Sequence, residues 1–270
     1  MTSPGGFERN IERFTGFADL YDRHRPSPPA ALATLLAQFS GTARPTLVVD
    51  LGSGTGLSTR YWADKADRVI GIEPTPDMRR QAEAVTRQPN VTYREGFSHA
   101  TNLDDHCAQA VVCMQALHWM EPTDTFAEAA RILQPGGVFA ACDYDWPPLT
   151  GAWQVNALFD QCVATGRRLE RELKVDAGVR QWEKSGHFNR MQTSGRFHYV
   201  KDSVLHHHDE GNAERLIGLL LSQGYIMALF RAGVSEHELG VTGLRAAANK
   251  FLGDQPKPFL WSARVRLGLT

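Results

Sequence analysis

The chain has 270 residues, of which 42% are hydrophobic and 22% charged, and its formal net charge at pH 7 is −1. That length fits one elaborated α/β domain better than two full ones. The near-zero charge, with no dense Lys/Arg run, argues against nucleic acid as a partner. No apolar run approaches bilayer length and the start, Met1-Thr-Ser-Pro-Gly-Gly, has no basic-then-apolar leader, so a soluble cytoplasmic protein without membrane contact is expected. Cys107, Cys113, Cys142 and Cys162 show no C-x-x-C spacing and read as reduced thiols rather than metal ligands.

Taken in chain order, the first periodic stretch predicts a helix from Gly6 or Phe7 to His24, with Phe14, Phe17 and Tyr21 on one stripe and prolines at 26, 28 and 29 ending it. A second helix is expected over Pro28 to Phe39, stopped by Gly41. Then comes Thr46-Leu-Val-Val-Asp50-Leu-Gly52-Ser-Gly54-Thr-Gly56, which reads as strand, glycine turn and the start of a helix over Leu57 to Ala66. Glycines there permit positive φ and let backbone approach a ligand without a Cβ between them. The G-x-G-x-G spacing differs from the dinucleotide fingerprint G-x-G-x-x-G. Asp50, placed immediately before the turn, would repel a diphosphate and attract an ammonium or sulfonium.

Arg68-Val-Ile-Gly-Ile-Glu73 predicts a second strand ending in an acid about twenty residues after the first glycine, where doubly wound folds hold ribose hydroxyls. A ligand with a ribose at one end and a positive amino acid at the other matches S-adenosylmethionine. Thr75-Pro76 supplies an N-cap and first-turn proline for a helix to Arg87 that buries Met78, Ala82 and Val85. A third strand, Val91 to Arg94, leads to Glu95-Gly96-Phe97-Ser98-His99, and a fourth, Ala110 to Met114, to Gln115-Ala-Leu-His118-Trp119, at the expected reversal of strand order where open parallel sheets bind ligands. There His118 is a candidate general base and Trp119 a substrate contact; a His and Trp that merely brace the loop explain the pair equally well.

A helix over Thr123 to Leu133 is ended by Pro135-Gly136-Gly137, which turns into strand five, Val138 to Cys142. Asp143-Tyr144-Asp145-Trp146 follow at its carboxyl end, and Asp143 and Tyr144 are candidate substrate contacts. Beyond Pro148 the pattern predicts a long helix, Trp153 to Leu173, a short one, Val179 to Lys184, a sixth strand over Thr193 to His207 and a seventh over Phe259 to Leu267. Between the last two, Gly211 to Gly253 has helical apolar spacing and reads as an insertion or lid. Adjacent residues of a strand face opposite ways, so His206-His207-His208 cannot converge on one ion, and no metal site is expected.

Asp50-Leu-Gly-Ser-Gly-Thr-Gly56, Glu73, Gln115-Ala-Leu-His-Trp119 and Arg131-Ile-Leu-Gln-Pro-Gly-Gly137 together resemble the class I S-adenosylmethionine-dependent methyltransferases, most strongly the single-domain, small-molecule branch, over about residues 10 to 145. The resemblance implies a Rossmann-like α/β fold with a doubly wound, mostly parallel seven-stranded sheet in the order 3-2-1-4-5-7-6. It divides the chain into an N-terminal helical cap (1–40), a cofactor core (45–145), the rest of the sheet (150–210 and 254–270) and the insertion (211–253). It implies S-adenosylmethionine held by Asp50, Gly52, Gly54, Gly56, Glu73, Pro74, Met78, Phe97, Ser98, Gln115, Ala116 and Tyr21. Relatives often carry an adenine-binding aspartate where this chain has Phe97; either Phe97 packs on the adenine, or Ser98 or backbone replaces the polar contact. The implied reaction is in-line methyl transfer to O, N or C of a small-molecule acceptor, releasing S-adenosylhomocysteine. A cofactor-binding module without turnover, or less favourably a nicotinamide-dependent oxidoreductase, are the rival readings, and monomer and homodimer stay equally open.

Overall fold

The computed structural model describes residues 6–270. Short, mainly apolar runs give the inner strands β1 (Leu47–Leu51), β2 (Arg68–Ile72), β3 (Val91–Arg94), β4 (Ala108–Met114) and β5 (Leu133–Tyr144), and longer alternating stretches give β6 (Tyr199–Gly211) and β7 (Lys257–Leu269). They form one sheet in the order β3-β2-β1-β4-β5-β7-β6, as the resemblance implied, with the first five parallel and β7 antiparallel to β5. β1 is buried along its whole length, which explains its apolar residues Leu47, Val48, Val49 and Leu51 and makes the buried Asp50 among them the exception. Register places Asp50 of β1 between Gly71 of β2 and Val112 of β4, so its carboxylate sits in the middle of the sheet's carboxyl end.

The helices are α1 (Glu8–Arg13), α2 (Ala18–His24), α3 (Leu32–Ser40), α4 (Leu57–Tyr61), α5 (Pro76–Val85), α6 (Pro122–Ile132), α7 (Trp153–Glu172), α8 (His187–Thr193), α9 (Ala213–Leu221), α10 (Gly224–Arg231) and α11 (Val241–Phe251). Several differ from expectation. The single first helix is two, because Gly16 takes φ +88°, outside the helical region. The second begins at Leu32, after the Pro28-Pro29 pair, and still ends on left-handed Gly41. The helix after the glycine turn keeps regular form only to Tyr61 and continues to Ala66 as hydrogen-bonded turns. Pro135-Gly136-Gly137 does not precede strand five but lies within it, at a register shift opposite Ala108 and Ala110.

No helix forms over 179–183: the Trp182 amide donates to the carbonyl of His118 at 2.8 Å, a distant partner in sequence, and a 3-10 turn (Lys184–Gly186) leads instead into α8. Strand six starts at Tyr199 rather than Thr193, which belongs to α8, and strand seven extends two residues further at each end than its apolar alternation indicated. Along β6 the three consecutive histidines alternate, His207 half-buried and His206 and His208 exposed.

Two compact units can be distinguished. One comprises 27–144, 180–205 and 263–270, and its core gathers Val49, Leu51, Ile70, Ile72, Val111, Phe126, Phe139 and Phe197. The other comprises the residues up to Pro26 with 145–179 and 206–262. In it α9 packs on α2 and α11, while α7 packs on α10 and α11, so the buried Leu216, Leu219, Ile226, Leu229 and Leu244 of the 211–253 stretch belong to a shared core. Among the described residues no single helix is long and apolar enough to cross a membrane. The four cysteines are free thiols.

Candidate active site

The glycine turn after β1 requires its glycines. Gly52, Gly54 and Gly56 have φ of +66°, +56° and +85°, a region that side chains with a Cβ rarely adopt. A Cβ on Gly52 would lie 2.6 Å from the Met120 side chain and 2.8 Å from Ala116, and one on Gly56 would lie 2.2 Å from the Tyr93 hydroxyl. Nothing stands within 4 Å of a Cβ built on Gly54. The middle of the turn is therefore the place where a ligand can meet bare backbone.

Two acids flank this turn. Glu73, 6% exposed, accepts from the amide of Gly54 at 2.9 Å and from that of Thr75 at 2.8 Å, so one carboxylate ties the turn to the end of β2. Burial raises its pKa, against the pull of those amides. Asp50 is fully buried; its Oδ2 accepts from the Thr59 hydroxyl at 2.7 Å and its Oδ1 has no hydrogen-bond partner. Desolvation pushes its pKa up to about 7, with Glu73 adding to the rise and Thr59 opposing it. Ser53 Oγ and Thr55 Oγ1, in the same turn, are likewise buried without partners. A buried carboxylate oxygen lacking a donor, beside a bare-backbone turn, fits a ligand that is positively charged at that end.

The ends of β4 and β5 carry a second constellation. Gln115 is held at φ +55°, and its amide donates to Cys142 O at 2.8 Å. Its side-chain oxygen accepts from Lys184 at 3.1 Å while its Nε2 is buried without a partner. Ala116 packs against the position of Gly52, and a 3-10 turn over Leu117–Trp119 sets the His118 ring 4.7 Å from that of Trp119. Asp143, expected at the acceptor, is 4% exposed and engaged by three charged or titratable neighbours: Lys184 at 2.8 Å, Arg266 at 3.1 Å and His118 Nδ1 at 3.7 Å. Burial opposes its ionisation, yet Lys184, His118 and Arg266 hold it below the usual carboxylate range. His187 completes the group; burial lowers its pKa to about 4, and its Nδ1 lies 3.1 Å from Arg190, which can only donate, so the neutral ring carries its proton on Nε2.

The remaining expected residues fall in several places. Met78 is 2% exposed in α5 and serves the core, whereas Pro74, between Glu73 and Thr75, is half-buried. Phe97 stacks on His99 at 5.5 Å, and Ser98 spends its hydroxyl on Thr125 at 2.8 Å. Tyr144 is buried and its hydroxyl donates to the carbonyl of Ser27 at 2.6 Å. Tyr21 lies in α2, in the other unit, with Phe17 and Arg25 against its ring. Sequence reading missed Lys184, His187 and Arg266. None left a distinct signal: Arg266 alternates with Arg264 on the face of its strand opposite Phe259, Trp261 and Val265, and nothing local tells the buried arginine from its exposed-side neighbour.

Residues 49–141 match a family described as a methyltransferase domain. An uncharacterized methyltransferase of Mycobacterium tuberculosis is 36% identical over 118 residues, 43% of this chain and 46% of the relative. Erythromycin 3''-O-methyltransferase of Saccharopolyspora erythraea is 31% identical over 119 residues, 42% of this chain and 39% of that enzyme. The chain thus spans about half or less of the length of these relatives. Among solved structures, a candidate type II methyltransferase from Anaeromyxobacter dehalogenans superposes with a TM-score of 0.66 at 24% identity, covering 91% of this chain and 97% of that one, a likeness of fold.

Proposed function

We propose, from the premise that residues 49–141 belong to the class I S-adenosylmethionine-dependent methyltransferases, that the protein transfers a methyl group to an oxygen, nitrogen or carbon atom of a small molecule. The observation that carries this reading is the turn in which three positive-φ glycines lie between Asp50 and Glu73, with one Asp50 oxygen buried and unpartnered. Asp50 favours the positive methionine end of the ligand, acting through the turn; Glu73 accepts from the ribose hydroxyls while keeping the Gly54 amide in place. Gln115 and Ala116 follow β4 on the same side and border the cofactor, as does Pro74.

S-adenosylmethionine supplies an already activated methyl group when bound. The chain's own work is therefore alignment of the acceptor, an effect of up to about 7–11 kcal/mol in well-oriented reactions, and exclusion of water. Trp119 shapes the acceptor site. His118 takes the proton of an acceptor that arrives protonated, and the ionised Asp143 behind it favours the imidazolium that results. Tyr144 acts by holding β5 to the segment before α3. Calorimetric titration with S-adenosylmethionine, followed by a metabolite screen read as S-adenosylhomocysteine release, tests the proposal. Absence of S-adenosylmethionine binding would reject it, and binding without turnover across the screen would favour a cofactor-binding module.

A further inference from the structure

The unit built from α1, α2, α7 and α9–α11 contains an arginine whose charge lacks a counterpart. Arg25 follows α2 and is half-buried, with its guanidinium centre 4.6 Å from the ring of Tyr21 and 4.6 Å from that of Trp146. Trp146 is itself braced edge-on by the buried Trp261 at 5.0 Å. Nε donates to Ser222 Oγ at 2.9 Å and Nη2 to Ser222 O at 2.8 Å, whereas Nη1 meets no acceptor among the described residues. Among the described residues no carboxylate pairs with it; the titratable groups acting on it are the phenols of Tyr21 and Tyr225. The Tyr225 hydroxyl is a second observation: the residue is 3% exposed, the charges of Arg167, which covers its ring at 3.9 Å, and then of Arg25 act on it, and its oxygen has no hydrogen-bond partner among the described residues.

A charge partly withdrawn from water and left without a counter-charge is costly to keep, and folded proteins tend to pair such groups. Other arginines of this unit follow that rule, Arg13 and Arg167 both reaching Glu170. Arg25 is instead immobilised by two ring faces and one serine, so the fork is pre-oriented and its outer N–H groups are directed by rigid neighbours. We infer that Arg25, with the hydroxyl of Tyr225, is a recognition site for an oxyanion, a carboxylate or a phosphate, carried by a small planar or apolar ligand that the two rings can flank.

The site is tested on the full chain without any methyl donor, so that its failure is separable from failure of the methyltransferase reading. Benzoate, phenyl phosphate and neutral benzamide are titrated calorimetrically at fixed low salt. Benzoate or phenyl phosphate is expected to bind at least tenfold more tightly than benzamide, and the preferred one names the anion. Arg25→Gln should abolish that preference, Arg25→Lys should weaken it by about tenfold because an ammonium lacks the fork, and Tyr225→Phe should weaken it severalfold. Circular dichroism and melting establish that each variant folds. Should Arg25→Gln unfold, Tyr225→Phe decides, since losing an unpartnered hydroxyl leaves the ring packing intact. Equal affinity for benzamide and both anions, or wild-type anion affinity in a folded Arg25→Gln or Tyr225→Phe, would overturn the inference.

Discussion

Asp50→Asn should make the protein more stable, and increasingly so as pH rises. In the wild type burial lifts the Asp50 pKa to about 7, against 3.8 for the ordinary carboxyl. A folded-state pKa above the unfolded one means that the group's contribution is fully present below about pH 3.8 and is lost as pH climbs through about 7. At about 1.4 kcal/mol per unit, the complete loss is about 4 kcal/mol, and the part falling between pH 5.5 and 9 is about 2 kcal/mol. Asparagine keeps an oxygen for the Thr59 hydroxyl and never ionises, so it escapes that loss. Urea unfolding of both proteins across this range should show a stability gap that opens with pH by about 2 kcal/mol, or about 0.7–1 M in midpoint. The same carboxylate makes the opposite prediction for ligand: a sulfonium or ammonium favours ionised Asp50, so cofactor affinity should rise with pH in the wild type and be lower and flat in Asp50→Asn. A gap independent of pH would mean that Asp50 is already ionised at pH 5.5 and would refute the desolvation argument.

Three further outcomes are expected. Glu73→Ala removes the acceptor for the Gly54 and Thr75 amides and the proposed ribose contact; charge-assisted bonds of about 1.5–3 kcal/mol each predict at least tenfold weaker S-adenosylmethionine binding, and unchanged calorimetric affinity would remove the assignment. Gly56→Ala should lower the melting temperature clearly more than Gly54→Ala, because both suffer positive-φ strain of about 1–2 kcal/mol but only the Cβ at 56 meets the Tyr93 hydroxyl, at 2.2 Å; equal losses would contradict the turn geometry. His118→Ala should reduce turnover, leave cofactor affinity nearly unchanged and abolish the acid limb of the pH–rate profile, and a variant with full turnover and the wild-type profile would assign His118 to structure.

The sheet was legible because its signals are local. Buried parallel strands such as Leu47–Leu51 and Val69–Ile72 are dominated by Val, Leu and Ile, with Asp50 and Gly71 the exceptions near their carboxyl ends, and a glycine or an acid follows each. Boundaries were less legible where a tertiary partner outweighs local preference. Residues 179–183 show helical spacing, but the Trp182 amide is claimed by His118 O and a helix there would forfeit that bond. The Pro-Gly-Gly run reads as a terminator, yet β4 supplies a ladder on which it becomes an irregularity inside β5. In both cases the deciding atom lies outside the window over which periodicity is counted.

The candidate site divides along the same line. The glycine turn, Asp50 and Glu73 lie within about two dozen residues of one another, so spacing alone nominated them. The Asp143 cluster could not be assembled that way: Lys184 arrives from the 3-10 turn before α8 and Arg266 from the antiparallel strand beside β5, each meeting a carboxylate far from it in the chain. This alters what Asp143 can do. An acid at an open strand end invites a direct role on the acceptor, but one held ionised by two cations has little tendency to take a proton and much capacity to set the field at His118. In the proposed mechanism the histidine is consequently the group that exchanges protons, and the acid the one that keeps the surrounding positive charge in place.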